Sequence, residues 1–319
     1  MSGPLRIGTR ASALALWQTE HVRARLQAAG CATQRIEIRT TGDIVQDVPL
    51  AQIGGRALFT RQIDDAMLEG RIDLAVHSLK DLPTTLPAGI ALVAVGERED
   101  PRDALVGRGP VTWTDLPEGA VLATSSLRRR AQLLHVRSDL EIRDIRGNVD
   151  TRLAKLDATP EWSGILLAAA GLVRLGFESR IGQRLPPEIM LPAPGQGALA
   201  VTARSGDHTA AAAAARALHH GPTAVAVAAE RAFLRTLEGG CQVPVAAQAA
   251  VEHGTLRLHG RVVSLRGERG VEGQELGPVR DEHEADDLGV RLAERLLEDG
   301  AASILAEVRA TAAPAITEP

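Results

Sequence analysis

The order of apolar segments along this chain of 319 residues predicts an α/β fold with more than one domain. Short apolar runs alternate with segments of helical periodicity, which favours parallel or mixed sheets with helical crossovers. Charged or proline- and glycine-rich segments interrupt that alternation at 97–105 and 191–199, and alternating strands follow towards the C-terminus. We therefore expect two α/β lobes with mixed sheets around a cleft, followed by a smaller α+β domain.

The first lobe begins with a strand at Leu5–Gly8 and a helix that Ser12 caps and that runs to about Ala29. Its further elements are expected at Arg35–Thr41 (strand), Leu58–Glu69 (helix, closed by Gly70), Ile72–His77 (strand) and Ile90–Val95 (strand). The strand at Ile72–His77 runs directly into HSLKDLP, which places charged residues at the end of an apolar strand.

The alternation continues in the second lobe and changes character after Gly221. Strands are expected at Ala120–Thr124, Leu140–Ile145, Ile165–Ala168 and Leu199–Ala203. The last part should hold helices at Thr223–Leu237 and around Glu284–Asp299, with strands at Val243–Val251 and Leu256–Val263. Consecutive alternating strands beside helices indicate an α+β unit. No internal sequence repeat relates the two lobes.

Charge and aromatic content argue against a nucleic-acid binder. The chain has 34 arginines, only two lysines (Lys80 and Lys155) and a formal net charge of -4, which lacks the basic balance of a phosphate-backbone binder. An aromatic content of 2% without tyrosine leaves few platforms for base stacking. The arginine excess fits either a GC-rich coding bias or a demand for bidentate carboxylate recognition, and composition does not separate the two.

Several classes of protein are not supported by the sequence. No apolar run reaches the roughly 18 residues of a membrane span, and the N-terminal segment has no signal-peptide pattern, so we expect a cytoplasmic protein without membrane contact. Cys31 and Cys241 lie far apart and give little reason to infer a disulfide framework. No metal-ligand spacing is present. Residues 267–319, with five basic and thirteen acidic side chains, form an acidic region without a recognisable site.

The segment HSLKDLP (77–83) is the first candidate site. Lys80 and Asp81 follow an apolar strand, where open α/β sheets present ligand-binding groups. A carboxylate beside an ammonium suits stabilisation of a developing cation or proton transfer, and an ion pair in a surface turn is the equally open alternative. His77 is expected to be a hydrogen-bonded residue at the end of the strand.

Two arginine-rich loops form the second candidate site. In TSSLRRR (124–130) the hydroxyl residues precede a helix whose first turn is cationic, an arrangement that requires an anion or solvent because the helix dipole opposes it. The segment IRGNVDTRL (145–153) repeats this pattern with Arg146 and Arg152. Guanidinium forks of this kind suit carboxylates or phosphates. A solvated basic face is the alternative, and we prefer it for Arg130.

Cys241 in EGGCQVP (238–244) is either a loop thiol or, as lone cysteines more often are, a small buried hydrophobe. PGQGALA (194–200) superficially fits a dinucleotide-binding pattern, but a strand and not a helix is expected after it, so we reject that interpretation.

Taken in order, the motifs resemble one family over nearly the whole chain. They are TRASALALWQ, TTGD, GGRALF, AVHSLKDLP, EREDPRDAL, TSSLRR, IRGNVDTRL, AAGLVRLG, LPAPGQGAL and EGGCQVP. This succession is similar to that of porphobilinogen deaminase, also called hydroxymethylbilane synthase. The resemblance implies a transferase of tetrapyrrole and haem synthesis that condenses four porphobilinogen molecules head to tail, releases ammonia at each step and yields hydroxymethylbilane.

The resemblance also implies a covalent dipyrromethane cofactor, one per chain, held by a thioether to the cysteine that matches Cys241. Loss of ammonia from porphobilinogen gives an electrophile, and a soft thiolate can capture such an electrophile during cofactor assembly. Asp81 matches the family's catalytic aspartate, and Lys80 lies beside it. The remaining matched binding residues are Arg10, Ser12, Asp43, Arg56, Phe59, Ser78, Thr124, Ser125, Ser126, Arg128, Arg129, Arg146, Asn148, Arg152, Arg174 and Gln196.

Domain organisation and partners follow from the same resemblance. It implies two lobes like those of periplasmic binding proteins, with domain 1 at 1–98 and 198–218, domain 2 at 99–197 and the cofactor-bearing domain 3 at 219–319. A monomer that passes its product to the next tetrapyrrole enzyme is expected. One departure is that GGRALF carries Arg56 and Ala57 where the family often has Lys and Gly, which predicts a stiffer loop.

Two rival functions remain distinguishable. A non-enzymatic two-lobed anion-binding protein would share the lobes and arginine loops but needs neither Asp81 nor Cys241. A nucleic-acid binder would use Arg128–Arg130 but lacks the aromatic residues and positive charge. The intact mass discriminates among all three, because only the enzyme carries an added dipyrromethane.

Overall fold

A computed structural model describes residues 3–40, 60–237 and 243–312. For residues 311 and 312 it describes the backbone alone. In these ranges the strands are β1 (Leu5–Thr9), β2 (Thr33–Glu37), β3 (Leu74–Ser78), β4 (Ile90–Val95), β5 (Asp103–Val106), β6 (Val121–Ala123), β7 (Glu141–Arg143), β8 (Gly164–Ala168), β9 (Gln183–Arg184), β10 (Leu199–Arg204), β11 (Val245–Glu252), β12 (Thr255–Val263) and β13 (Gly270–Pro278). The α-helices are α1 (Ala13–Ala28), α2 (Arg61–Leu68), α3 (Leu127–Val136), α4 (Val149–Ala158), α5 (Ala169–Arg174), α6 (His208–Leu218), α7 (Gly221–Thr236), α8 (Glu282–Leu296) and α9 (Ala302–Ala312).

Two mixed five-stranded sheets confirm the predicted α/β class. The first has the order β2-β1-β3-β10-β4 and the second β7-β6-β8-β5-β9. In each, three strands are parallel, and one strand runs antiparallel to both of its neighbours: β10 between β3 and β4, and β5 between β8 and β9. The sheets therefore repeat one arrangement, although no repeat is visible in the sequence.

The chain passes between the two sheets twice, and each antiparallel strand directly follows a passage. After β4 the chain enters β5 of the second sheet, and after β9 it returns to β10 of the first. Hence the segment 97–105, expected to be a junction, ends inside β5, which begins at Asp103. Both passages lie at the carboxyl ends of the parallel strands, where the polar loops after β1, β3, β6 and β7 also begin.

The third sheet, with the order β11-β12-β13, packs against α7 and α8. Phe233 on α7 is fully buried at the centre of this core, together with Leu258, Leu292 and Leu296. A Cβ at Gly260 would come within 2.5 Å of the Phe233 ring, so glycine is required where β12 crosses that ring. The result is the antiparallel sheet and helix unit expected for the last part of the chain.

The predicted elements are found with shifted ends, and five elements were not predicted. The strand expected at Arg35–Thr41 runs from Thr33 to Glu37, and Leu58 in the predicted helix Leu58–Glu69 lies outside the described residues. Strands β5, β9 and β13 and helices α5 and α9 have no counterpart among the predicted elements. For β13 the reason is its composition, because an edge strand with three glycines and two glutamates shows little hydrophobic alternation. Within the described ranges, no helix is long and apolar enough to cross a membrane.

Candidate active site

The turn after β3 carries the predicted catalytic pair. Leu79–Asp81 forms one turn of 3₁₀ helix in which Leu79 is buried, Lys80 is half-buried and Asp81 is exposed. Leu79 and Leu82, on either side of the two charged residues, anchor the turn in an apolar cluster. The structure thus presents an accessible carboxylate beside an ammonium at the end of a buried strand.

His77 at the end of the same strand is structural. Its Nε2 lies 3.3 Å from Oγ1 of Thr202 on β10. Burial, reinforced by the charge of Arg10, lowers the pKa of His77 to about 4. The imidazole is therefore neutral at physiological pH, and the expectation of a hydrogen-bonded residue near the strand end is confirmed. Arg10 directly follows β1 and therefore lies at the same end of the first sheet as His77.

Lys80 is held by Gln196 from a distant part of the chain. Its Nζ donates to Oε1 of Gln196 at 3.2 Å. The contact exists because β10 pairs antiparallel with β3, which places the segment before β10 opposite the turn after β3. Burial, with the positive charges of Arg129 and Arg128, outweighs the nearby carboxylates and lowers the pKa of Lys80 to about 8.

A fully buried carboxylate, Asp103, joins the two arginines predicted in the TSSLRR motif. Arg128 Nη1 donates to Oδ2 at 2.7 Å, and Arg129 donates through Nη2 at 2.7 Å and Nε at 3.0 Å to Oδ1. Burial by itself raises the pKa of Asp103, but the two guanidinium groups hold that pKa far below its usual range. Both arginines were expected to bind a ligand carboxylate, and each already binds a carboxylate of the protein.

Gln196 links this buried cluster to Lys80. Its Nε2 donates to the Asp103 carboxylate at 3.0 Å and to the carbonyl oxygen of Pro101 at 2.7 Å. These two bonds fix the amide, so that its oxygen points to Lys80. The cluster therefore extends from the second sheet to the turn of the first without a gap, through one buried side chain.

The positive charge that faces Asp81 comes from the second lobe. Arg152 Nε donates to the carbonyl oxygen of Gly147 at 2.8 Å. Burial, together with the charges of Arg129 and Arg146, lowers the pKa of Arg152 to about 10, while Asp81 acts in the opposite direction. Arg129, Arg146 and Arg152 thus form a cationic group that lies within electrostatic range of the proposed catalytic carboxylate.

Arg174 at the end of α5 connects the lobes at Gly197 and Trp17. Its Nη2 donates to the carbonyl oxygen of Gly197 at 2.6 Å, and its guanidinium carbon lies 5.7 Å from the Trp17 ring centroid. Gly197 has φ +90°, and a Cβ there would lie 2.3 Å from the carbonyl oxygen of Glu99, so this position requires glycine. Arg174 therefore faces the first lobe.

Most predicted hydroxyl residues shape the loops. Ser12 Oγ caps α1 by accepting from Ala15 N at 3.3 Å, and Ser126 Oγ caps α3 by accepting from Arg129 N at 3.5 Å. The other hydroxyl contacts are Ser125 Oγ with both the N and O of Ile145, Thr124 Oγ1 with the N of Ser126, and Ser78 Oγ with Nε2 of Gln18. Asn148 precedes α4 and is exposed, without a side-chain capping bond.

Four predicted site residues, Asp43, Arg56, Phe59 and Cys241, lie outside the described residues. The others, in the described ranges, lie at the ends of strands, in the loops that follow them or on the helices that these loops lead into. Sequence reasoning missed Asp103, Arg98 and Glu230, which tie these loops together. The signal for Asp103 was available, because a lone acid that starts an apolar strand predicts a buried partner with positive charge.

Comparison with known proteins identifies relatives over almost the full length. The family models for the porphobilinogen deaminase dipyrromethane cofactor binding domain and C-terminal domain match residues 5–212 and 224–298. The protein from Geobacter metallireducens named porphobilinogen deaminase is 52% identical, covering 95% of this chain and 94% of its own. That of Syntrophotalea carbinolica is 49% identical and covers 99% of both chains. Among solved structures, a nutrient binding protein from Burkholderia cenocepacia bound to methionine overlaps 67% of this chain and 90% of its own, with 14% identity and a TM-score of 0.42.

Proposed function

This chain belongs to the porphobilinogen deaminase family, and from that premise we propose that Asp81 is the catalytic carboxylate of the cleft between its lobes. The protein polymerises porphobilinogen, joining four molecules head to tail into the linear tetrapyrrole hydroxymethylbilane with release of ammonia. The observation that supports this site is that Asp81, Arg129 and Arg146 all lie close enough to Arg152 for their charges to act on its guanidinium.

The substrate's chemistry matches that convergence. Each porphobilinogen carries an acetate and a propionate, so a growing chain brings two carboxylates with every unit. Arg152 is half-buried beside two other cations, and the carboxylate of Asp81 counteracts their effect on its pKa. An incoming carboxylate would relieve this repulsion, and a guanidinium can bind it through two parallel hydrogen bonds. We assign Arg146, Arg152 and Arg174 to substrate and cofactor carboxylates.

The same donor set fits the dipyrromethane cofactor, which carries the same acetate and propionate groups. Arg146, Arg152 and Lys80 would hold it, and Cys241 would attach it by a thioether. When bound, the cofactor supplies a primer pyrrole with a free α-carbon for the first condensation. The hydroxyls of Ser125 and Ser126 are engaged with the backbone, so their part is to hold the loop that presents Arg128 and Arg129.

Asp81 supplies negative charge where the reaction creates positive charge. Departure of ammonia leaves a cationic pyrrole, and an accessible carboxylate at the end of β3 stabilises that cation and accepts a proton from the ring that is joined. Lys80 contributes an ammonium to carboxylate binding while Gln196 fixes its position. The carboxylate and the surrounding cations thus serve opposite ends of one zwitterionic substrate.

We further propose the three domains as 1–98 with 198–218, 99–197, and 219–319. Their support is that β10 returns to the first sheet and that the third sheet starts after α7. Action as a cytoplasmic monomer, with the product taken by the next tetrapyrrole enzyme, completes the proposal.

Replacement of Cys241 by alanine tests the covalent cofactor. Purified wild-type protein should exceed its sequence mass by one dipyrromethane, and the Cys241→Ala variant should have the bare sequence mass and no turnover. Electrospray mass spectrometry of the intact chains decides this. Cys31→Ala, which removes the other cysteine, is the matched control and should retain both adduct and activity. Active wild-type protein whose intact mass equals the sequence mass would contradict the assignment of a covalent cofactor to Cys241.

Lys80 should give the reaction a pH dependence. Its pKa of about 8 means that the ammonium loses its proton as the pH rises through that value, so substrate affinity should fall above it. We expect KM to rise from pH 8 to 9, and Lys80→Arg, which stays protonated, to lack this rise. Initial rates between pH 7 and 9 provide the comparison. The same rise in both proteins would assign the titration to another group.

A further inference from the structure

Helix α7 of the third domain lies against the turn that carries Lys80 and Asp81. Ala224 and Val227 on α7 belong to one apolar cluster with Leu79 and Leu82, which flank the two charged residues. Helix α7 therefore shares an apolar cluster with the residues on both sides of Lys80 and Asp81.

One turn further along α7, Arg231 binds the backbone that leaves this turn. Its Nη2 donates to the carbonyl oxygens of Pro83 at 2.8 Å and Thr84 at 3.1 Å. Two acceptors from successive peptide groups restrict the direction of the chain two residues after Asp81. The helix thus contacts the loop through the apolar packing of Val227 and, one turn later, through the guanidinium of Arg231.

The environment of Arg231 is unusual for a residue that serves stability alone. Burial, with the charge of Arg235, lowers the pKa of Arg231 to about 10. Within the described ranges no carboxylate lies at salt-bridge distance from its guanidinium, and its hydrogen-bond partners are the two carbonyl groups. A partly desolvated cation without a counter-ion costs free energy, and an apolar side chain would pack there without that cost. What the guanidinium contributes in this position is its pair of hydrogen bonds, which fix the geometry of the loop.

The preceding residue, Glu230, holds the second loop of the site. This fully buried carboxylate accepts from the backbone N–H of Gly195 at 2.7 Å, and Gly195 precedes Gln196, the partner of Lys80. Arg98 donates to the other oxygen of the carboxylate at 2.6 Å. Adjacent residues of α7 therefore hold the two loops whose side chains meet at Lys80.

We infer that Arg231 is a positioning residue for the proposed reaction: it fixes the Lys80–Asp81 loop to α7, the helix that continues in sequence towards Cys241. This inference rests on the proposed role of Asp81. Four residues lie between the end of α7 at Thr236 and Cys241 in the sequence, so the helix that holds the catalytic loop leads directly to the proposed attachment point of the cofactor. A fixed loop keeps the Asp81 carboxylate at a constant position beside the reacting pyrrole.

Arg231→Met tests the inference, because methionine keeps the aliphatic stem and removes the donors. We expect kcat to fall on the order of tenfold to a hundredfold, as for a misplaced catalytic group, with KM changed by less than about threefold. The intact mass should still include the cofactor. Hydrogen exchange at the amides of residues 79–86 should become faster. Arg231→Lys, which restores a charge and a single donor group, should give an intermediate kcat.

Arg235→Met is the matched control, since Arg235 lies one turn further on α7 and pairs with exposed Asp286 at 2.7 Å. It should leave kcat and exchange at 79–86 as in the wild type. A kcat of Arg231→Met equal to that of this control, or unchanged exchange at 79–86, overturns the inference. If the wild type itself neither carries the cofactor nor consumes porphobilinogen, the proposed function fails, and the exchange comparison still decides whether Arg231 holds the loop.

Discussion

Replacement of Asp81 by alanine should reduce turnover of porphobilinogen on the order of 10²- to 10⁴-fold while the protein stays folded. The magnitude is that of losing a positioned acid or base together with its stabilising charge. Asp81 is exposed, and among the described residues no side chain forms a hydrogen bond or ion pair with its carboxylate, so the free energy of unfolding should hardly change. Ammonia release at saturating substrate and the urea midpoint measure the two expectations separately.

Asp81→Asn and Asp65→Ala sharpen this experiment. Asparagine keeps the size of the side chain without its charge and should be nearly as inactive as alanine. Asp65 on α2 is an exposed carboxylate of the same lobe, and its removal should leave turnover unchanged. Ammonia release close to the wild-type rate in Asp81→Ala would remove this residue from the mechanism.

Replacement of Asp103 by asparagine should have the largest effect on stability. It leaves the guanidinium groups of Arg128 and Arg129 buried without a counter-ion, and loss of one partner of a buried ion pair typically costs about 3 to 5 kcal/mol. Because the folded state holds the pKa of Asp103 below its ordinary value, its contribution is complete at neutral pH and declines below about pH 4. The difference between variant and wild type should therefore narrow in acid.

Asp157→Asn provides the control for this comparison. Asp157 in the same lobe forms an exposed ion pair with Arg180 at 2.7 Å, and such pairs contribute little. Urea denaturation of both variants at pH 7 and below pH 4 yields the free energies of unfolding. A loss no greater for Asp103→Asn than for Asp157→Asn would show that the buried charge is dispensable. Weaker substrate binding should accompany the loss, because the same carboxylate orients Arg129 and Gln196.

Local patterns predicted most of the fold. The apolar run of β4 and the Ser12 cap of α1 are signals contained within a few residues, and both elements appear where they were expected. The edge strand β13 was missed, since an edge strand needs little apolar character. The duplicated sheet arrangement was also invisible, because it is a relation between strand orders and not between residues.

The candidate site divides in the same way. Lys80 and Asp81 stand next to each other in one motif, so the sequence by itself determined that a carboxylate and an ammonium end a buried strand. The family resemblance added the chemistry, and the order of ten motifs made it specific. What the sequence did not determine is the contact of Lys80 with Gln196, 116 positions away, which depends on the pairing of β10 with β3.

Only the tertiary structure decided which arginines pair with a carboxylate of the protein. All arginine loops look alike in the sequence, yet Arg128 and Arg129 share the buried Asp103, whereas Arg152 faces Asp81 beside two other cations. The physical reason is that electrostatic pairing depends on distance and burial, which are fixed when β5 inserts between β8 and β9. The sequence specified the types of charge in the cleft, and the fold selected their partners.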